Sequence, residues 1–448
     1  MSSGSGIMKR YMDEKGYGFV ARVDGPDLFF HITNVRSSRL YEGEAVRFDI
    51  EKDEDGRDVA VNLRRESGSP HTGDVLDWHV DPGTHRAEGH ILPQGGGEPL
   101  AFTKHDLARS PNGKWMPSPR PWLAAQYQIV VSADGVTHPV DITMDRRYPL
   151  QRFAYLGAED EFIEALRSIA LPENWNYRTS KSSRPHEILY NYLHFTFAKL
   201  LDEDRSNPLG DRKIRVRNDL KHHTPLATFK TGLVDKRYES IFALFEPNSP
   251  TRSEPWKFLA FCIAGEDEGK LLSQYFNPLP VPAQFFSNTT ELLYDPDAPL
   301  HPDYTHILTE NRNRLPRELL EMVQGVNASR AESVLKMHLD HAIQLARKRA
   351  RWNFKSAIPH YFPTFRRLDF LLPLCLVDDT VVDVALAVQR TETGYLANTI
   401  LPLDWAYKSA RLVCRPDSDW LAPEYIDAGG EHDADGDAST SDPDAAPA

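Results

Sequence analysis

Two short segments constrain the fold more than anything else in the chain: Lys15-Gly16-Tyr17-Gly18-Phe19-Val20 and, after a brief turn, Leu28-Phe29-Phe30-His31-Ile32. Both read as β-strands. Side chains alternate across a strand, so Tyr17 and Phe19 share one face of the first segment, and Phe29 and His31 share one face of the second. Gly16 and Gly18 fall on the opposite face and let the strand coil tightly. Four flat rings on adjoining strands, with Lys9, Arg10, Lys15 and Arg22 nearby, have the makings of a single-strand binding surface. Each base stacked on such a ring contributes roughly 1–3 kcal/mol with little regard to sequence. Tyr17 and Phe19 read alone are ordinary half-buried strand aromatics. A second ring-bearing strand and flanking cations weigh against that reading.

Four blocks extend the pattern: Gly6-Ile7-Met8-Lys9-Arg10-Tyr11, Glu14 to Val20, Asp27 to Ile32, and Leu40-Tyr41-Glu42-Gly43-Glu44-Ala45-Val46-Arg47-Phe48. Together they resemble the bacterial cold-shock domain from end to end. The resemblance implies a five-stranded OB-type barrel over residues 1–66 that binds single-stranded RNA or DNA. It places base-stacking roles on Tyr11, Tyr17, Phe19, Phe29 and His31, and backbone roles on Lys9 and Lys15. Where the family usually has Trp after the first Lys, this chain has Arg10, whose guanidinium can also stack on a base.

A length of 448 residues suggests roughly three domains at about 150 residues each. The three cysteines, Cys262, Cys375 and Cys414, are far apart, which argues against a disulfide scaffold or a thiolate zinc site and fits a reducing cytoplasm. No apolar run is long enough to span a bilayer, and the first residues lack a basic segment followed by an apolar one. The expectation is a cytoplasmic protein without a membrane partner. A net charge of −13 looks wrong for a nucleic-acid binder, but Asp427, Glu431, Asp433, Asp435, Asp437, Asp442 and Asp444 lie among Gly, Ala, Ser and Pro. Residues 424–448 therefore read as a disordered acidic tail, and a competitor for a basic groove is the sharper alternative.

Beyond a linker at Glu66 to His71, residues 72–146 look like a worn repeat of the first barrel. Gly73-Asp74-Val75, Gly89-His90-Ile91, Phe102 to Leu107 and Tyr127 to Val131 parallel its successive strands. Trp78, His90, Phe102 and His105 are what is left of a ring platform. A loop from Ser110 to Pro121, with Lys114, Trp115, Arg120 and Trp122 in or beside it, either extends the groove or buries itself against the next domain.

From Tyr148 the texture changes to longer elements. Apolar residues at helical spacing from Pro185 to Asp204 predict a buried helix, with Ser182 or Ser183 upstream as its start signal. Leu226 to Val234, Ser240 to Phe245 and Trp256 to Ala264 predict an antiparallel meander. A helix follows from about Ser329 to Trp352, then strands at Leu371 to Leu376, Val381 to Gln389 and Gly394 to Leu401, and a closing helix from Trp405 to about Leu412. Hairpins with segregated helices give an α+β domain over residues 148–422. Ile188-Leu189-Tyr190-Asn191-Tyr192-Leu193-His194-Phe195-Thr196-Phe197, Thr231-Gly232-Leu233, Ala243 to Asn248 and Thr399-Ile400-Leu401 leading into Ala406-Tyr407 resemble an uncharacterised bacterial domain family found beside RNA-binding modules. That resemblance implies the company of RNA-binding domains and no particular reaction.

Chemistry in the large domain rests on two constellations. Arg347, Lys348, Arg349, Arg351 and Lys355 cluster at a helix end beside Trp352 and Phe354, more cations than the helix dipole alone calls for, which points to phosphate contact. Arg312 and Arg314 are candidates to join them. Asp404, Tyr407 and Arg411 share one helix face. Asp404 suits an N-cap; alternatively it joins Arg411, His194, Lys230 and Glu246 in a cleft that processes a nucleotide or RNA end. His194 on an apolar helix is more often a core residue. His338 and His341 lie three apart, and His222, His223, His301 and His306 lie in or near loops. None has the spacing of a zinc site, and no glycine-rich phosphate loop occurs, so neither metal nor cofactor is expected.

The sequence therefore reads as an α+β multidomain chain: an OB-type barrel, a degenerate second OB-like barrel, and a large mixed domain. The leading function is single-strand binding with the large domain as specificity or effector module, a protein partner being possible through that domain. The alternative is an RNA- or nucleotide-processing enzyme.

Overall fold

The structure is a computed structural model that describes residues 2–428, apart from 13–14, 23, 54, 67, 81–85, 95–96, 109–118, 120–122, 181, 183, 209, 219–224 and 364. It divides into two compact units, Met1–Tyr148 and Pro149–Ala448. Among the described residues no helix is long and apolar enough to cross a membrane.

In the first unit, β1 (Ser2–Met12), β2 (Tyr17–Arg22), β3 (Leu28–His31), β4 (Ala45–Lys52) and β5 (Asp58–Arg65) form a closed barrel in the order β1-β2-β3-β5-β4. Strict alternation builds it. Leu28 and Phe30 point inward to join Met8, Val20, Val46, Phe48 and Leu63, while Phe29 and His31 point out. Closure comes from parallel pairing of Phe29 with Val59. Gly18 is opposite Phe30, where a Cβ would lie 2.5 Å from the ring.

Next come β6 (His71–Val80), β7 (Ala87–Pro93), β8 (Leu100–Thr103), β9 (Ala124–Val131) and β10 (Thr137–Asp145), in the order β10-β9-β6-β7-β8. This is the first barrel's order opened between its third and fifth strands. A parallel bridge from Leu107 to Ile142 stands where Val35 meets Leu63 in the first barrel. The second OB-like element is thus a half-open barrel, filled by Val75, Ile91, Phe102, Tyr127 and Ile142.

A buried polar brace ties the two elements together. Arg65, with its side chain 4% exposed, reaches both Glu44 and Asp141 at 2.5 Å. Its guanidinium also donates to the Arg39 carbonyl at 2.7 Å. The Asp141 carboxylate accepts from the Ser38 amide at 2.7 Å, and Ser38 Oγ accepts from the Asp141 amide at 2.9 Å. The Tyr41 hydroxyl donates to Asp106 at 2.7 Å, and its ring stacks on His138 with centroids 4.0 Å apart. Burial first, then the Asp106 charge, pushes the Tyr41 hydroxyl pKa well up.

The second unit contains two five-stranded sheets and a small parallel pair. The strands are β11 (Ala154–Tyr155), β12 (Thr179–Ser180), β13 (Ile214–Arg217), β14 (Leu226–Val234), β15 (Ser240–Pro247), β16 (Trp256–Ile263), β17 (Leu300–Pro302), β18 (Ile358–Phe362), β19 (Arg367–Leu374), β20 (Val384–Thr391), β21 (Gly394–Leu401) and β22 (Asp427–Ala428). One sheet runs β11-β16-β15-β14-β13 and the other β17-β21-β20-β19-β18. The helices are α1 (Pro149–Phe153), α2 (Glu159–Ile169), α3 (Glu187–Ser206), α4 (Gly269–Tyr275), α5 (Arg317–Met322), α6 (Ala328–Trp352) and α7 (Leu403–Val413). Every residue of α3 from Glu187 to Ala198 is buried, and Ala331, Leu335, Leu339, Ala342, Ala346 and Ala350 lie on the buried stripe of α6.

Two expectations need correction. The helix expected from Pro185 to Asp204, with Ser182 or Ser183 upstream as its start signal, runs from Glu187 to Ser206 and is preceded by His186, in the left-handed region at φ 52, whose amide donates to Asn176 Oδ1 at 3.0 Å. The tail expected from residue 424 is packed as far as 428: Ile426 is 2% exposed, and Asp427 and Ala428 pair with Thr179 and Ser180. One buried isoleucine and its strand neighbour outweigh the polar composition around them. Residues 429–448, which carry the rest of the acid, lie outside the described residues.

Candidate nucleic-acid interface

On the outer face of β2 and β3, Phe19 is directly opposite Phe29, and Tyr17 is opposite His31. Ring centroids are 5.7 Å apart for Tyr17 and Phe29, 5.9 Å for Phe19 and Phe29, and 6.3 Å for Tyr17 and Phe19. Three rings in mutual contact form one platform, with Phe29 40% exposed at its centre. His31 is exposed at its edge, its Nδ1 2.9 Å from Thr33 Oγ1, which fixes the ring at the start of a short 3-10 turn. Gly16 turns the chain into β2 at φ 70.

A β-bulge decides which β1 residue joins the platform. Met8 pairs with Val20 and Arg10 with Phe19, so Lys9 is the inserted residue. Arg10 therefore shares the face of Phe19, whereas Tyr11 is opposite Gly18, its ring stacked on Phe30 at 5.8 Å and packed against the core. The base-stacking role expected for Tyr11 does not match this packing, because the bulge shifts the face by one residue. Lys9 forms an exposed ion pair with Asp27 at 2.6 Å, and Lys15 is exposed.

Among its described residues the half-open barrel carries no such platform. Gly89 opposite Phe102 corresponds to Gly18 opposite Phe30, so the outward positions are Glu88 with Thr103 and His90 with Ala101. His90 Nδ1 lies 2.9 Å from Asp77. Phe102 is 2% exposed and stacks on Trp78 at 5.2 Å within the core. Of the expected ring remnants, Trp78 and Phe102 thus belong to the core, whereas His90 is exposed and His105 is half-buried. Lys114, Trp115, Arg120 and Trp122 lie outside the described residues.

Comparison with known proteins agrees with this geometry. The family model described as 'Cold-shock' DNA-binding domain matches residues 4–65, and the one described as Domain of unknown function (DUF3825) matches residues 166–420, more than half the chain. This chain belongs to the DUF3825 family, with a cold-shock domain ahead of the DUF3825 domain. Cold shock protein ScoF of Streptomyces coelicolor is 43% identical over 56 residues, 12% of this chain and 84% of that protein. Glycine-rich protein 2 of Nicotiana sylvestris is 41% identical over 68 residues, 14% of this chain and 32% of that protein. The chain thus spans about a third of the length of that relative, and 36% of Cold shock domain-containing protein 4 of Arabidopsis thaliana. The solved structure of drosophila Unr CSD456 aligns over 59% of this chain and 97% of that one at 9% identity and a TM-score of 0.23, a likeness too low to argue from. The cold-shock domain is a nucleic-acid-binding module.

In the DUF3825 domain the five residues expected to form a cleft have separate surroundings. His194 is fully buried beside Tyr190, ring centroids 4.3 Å apart, and burial, with the Arg184 charge second, pushes its pKa down to about 3. Lys230 is opposite Phe242 on β14, and burial lowers its pKa. Glu246 pairs with Lys257 across the sheet at 3.3 Å. Arg411 donates to Glu173 at 2.7 and 2.9 Å, with the rings of Trp175 and Tyr192 beside it. Asp404 lies in the first turn of α7 after the N-cap residue Pro402, so it is not the N-cap. Burial raises its pKa against the opposing charge of Lys408. Lys408 itself forms a buried pair with Glu187 at 2.5 Å. Glu173, Glu187 and Lys408 carry no local signal in the sequence, because the partners of Glu173 and of the Glu187–Lys408 pair come from distant elements.

The basic end of α6 divides. Arg347 donates to the carbonyls of Pro296 and Ala298 at 2.9 and 3.0 Å, and Arg349 donates to Cys375 Sγ at 3.2 Å and to the Asp379 carbonyl. These two are used within the fold, contrary to the expected phosphate role. Lys348, Arg351 and Lys355 are exposed, the last two in ion pairs with Asp297 and Asp417. Arg314 donates to Thr399 Oγ1 at 3.1 Å and lies over Trp405, away from that cluster's chemistry, while Arg312 is exposed. His338 faces the Leu376 carbonyl at 3.1 Å, His341 meets Asp379 at 3.0 Å and His306 meets Glu310 at 2.6 Å. His301 is exposed on β17, and His222 and His223 lie outside the described residues. Among the described residues no group of three or more potential ligands is placed to hold a metal ion.

Proposed function

We propose that this protein binds single-stranded RNA or DNA on the platform of Tyr17, Phe19, Phe29 and His31, with Arg10 stacking beside Phe19 and Lys9 and Lys15 meeting the strand's phosphates. The observation that carries this reading is the three-ring contact around an exposed Phe29. Exposed rings of this kind accept any base, because every base has a π-face, and nearby cations follow the backbone. The DUF3825 domain is read as the specificity or effector module, acting on the bound strand or on a protein partner. A reducing cytoplasm suits the cysteines Cys262, Cys375 and Cys414, all free thiols.

Salt dependence tests the phosphate contacts. The affinity of the full chain for a single-stranded 20-mer, measured by fluorescence anisotropy from low to moderate salt, is expected to fall linearly on logarithmic axes. In the Lys9→Gln/Lys15→Gln variant the slope should shrink by about 1.4, since each phosphate contact on a single strand contributes about 0.7. An unchanged slope removes both lysines from the interface.

A further inference from the structure

At the end of α6, Trp352 is 88% exposed and Phe354 is 63% exposed. Two such rings left in water, one on the last residue of a helix whose other face is packed and one on the turn that follows, are unusual, because large aromatics are the side chains that gain most from burial. They are held in place from below. Asn353 caps the short 3-10 turn Phe354–Ser356, its Oδ1 accepting from the Lys355 amide at 3.1 Å, and Ser356 Oγ donates to the Arg349 carbonyl at 3.2 Å.

The charges around the rings are sorted. Arg347 and Arg349 point into the fold, as described above, whereas Lys348, one helical turn before Trp352, is exposed. Arg351 and Lys355 pair with Asp297 and Asp417, carboxylates that are themselves 77% and 84% exposed. Ion pairs this exposed hold weakly, so phosphates can replace the carboxylates at little cost.

We infer that Trp352 and Phe354, flanked by Lys348, Arg351 and Lys355, form a second single-strand contact on the DUF3825 domain, the rings stacking bases and the cations meeting phosphates. The inference rests on the reading that this chain binds single strands. It adds a site of the same chemistry on a different unit. A second copy of the chain suits the patch less well, because a two-fold contact would set the same cations against one another.

The test uses the full chain with labelled 30-mers of uridine and of thymidine, in four forms: wild type, Trp352→Ala/Phe354→Ala, Phe19→Ala/Phe29→Ala, and the quadruple variant. The Trp352→Ala/Phe354→Ala change should weaken binding of both 30-mers at least tenfold, in the wild-type background and wherever binding remains measurable in the Phe19→Ala/Phe29→Ala background. The thermal midpoint should stay put, since both rings are solvated. Equal affinity with and without the two rings in the wild-type background overturns the proposal. Equal affinity accompanied by a dimer-to-monomer change in sedimentation gives the patch to a second copy instead. Wild-type affinity of Phe19→Ala/Phe29→Ala would sink the barrel reading alone, leaving the comparison at Trp352 and Phe354 intact.

Discussion

At the residue scale, position relative to the core decides what a chemically suggestive side chain does. His194 has the right chemistry for a general base, yet its fully buried ring stays neutral, with a pKa pushed down to about 3. The sign of its effect on stability follows directly. An unfolded His takes up a proton near pH 6.5, and the folded one does so only near 3, so its contribution is whole above about pH 6.5 and is lost as pH falls between those values. Thermal midpoints of wild type and His194→Gln should therefore converge as pH drops from 7 to 4, wild type being the more stable at pH 7. A gap that stays constant over that range would show that His194 titrates normally. Arg10 and Tyr11 teach a related lesson. The alternation that identified Tyr17, Phe19 and Phe29 was legible because strands repeat every two residues, but the bulge at Lys9 exchanged Arg10 for Tyr11 and left no mark in the sequence.

At the element scale, the open barrel acts as a brace for the closed one. Arg65 neutralises Glu44 and Asp141 inside the first unit, and burial raises the Glu44 pKa despite that partner. Replacing Arg65 by Met leaves two carboxylates without their cation, a loss on the order of 3–5 kcal/mol. Chemical denaturation followed by tryptophan fluorescence should report it; a loss below about 1 kcal/mol would mean the brace is dispensable. The C-terminal strand makes a second case. Removing residues 424–448 takes away buried Ile426, worth roughly 1.5–3 kcal/mol, together with its strand pairing, and should lower the thermal midpoint. Removing only 429–448, whose composition is polar and acidic, should leave it unchanged. Equal midpoints for both truncations would contradict the packing of β22. Helices and strands with long periodic patterns were readable: Leu226–Val234 and Gly394–Leu401 match their expected limits. Phe102 looked like a platform ring because the repeat preserved its neighbours, and nothing local revealed that it points inward beside Gly89.

At the scale of the whole molecule, the cold-shock domain supplies a ring platform and the DUF3825 domain a larger α+β body of two sheets. The domain order was legible because motifs are local. The expected cleft was not, since convergence of His194, Lys230, Glu246, Asp404 and Arg411 depends on contacts between distant elements. Those contacts gave Arg411 to Glu173 and Glu246 to Lys257. The central claim is that exposed rings of the first barrel hold the strand, and the most direct measurement is the dissociation constant of full-length Phe19→Ala/Phe29→Ala for a single-stranded heptamer, beside wild type. Loss of two stacks predicts weakening by roughly 2–6 kcal/mol with an unchanged near-ultraviolet circular dichroism spectrum outside the ring contribution. Wild-type affinity in the folded double variant would contradict the account.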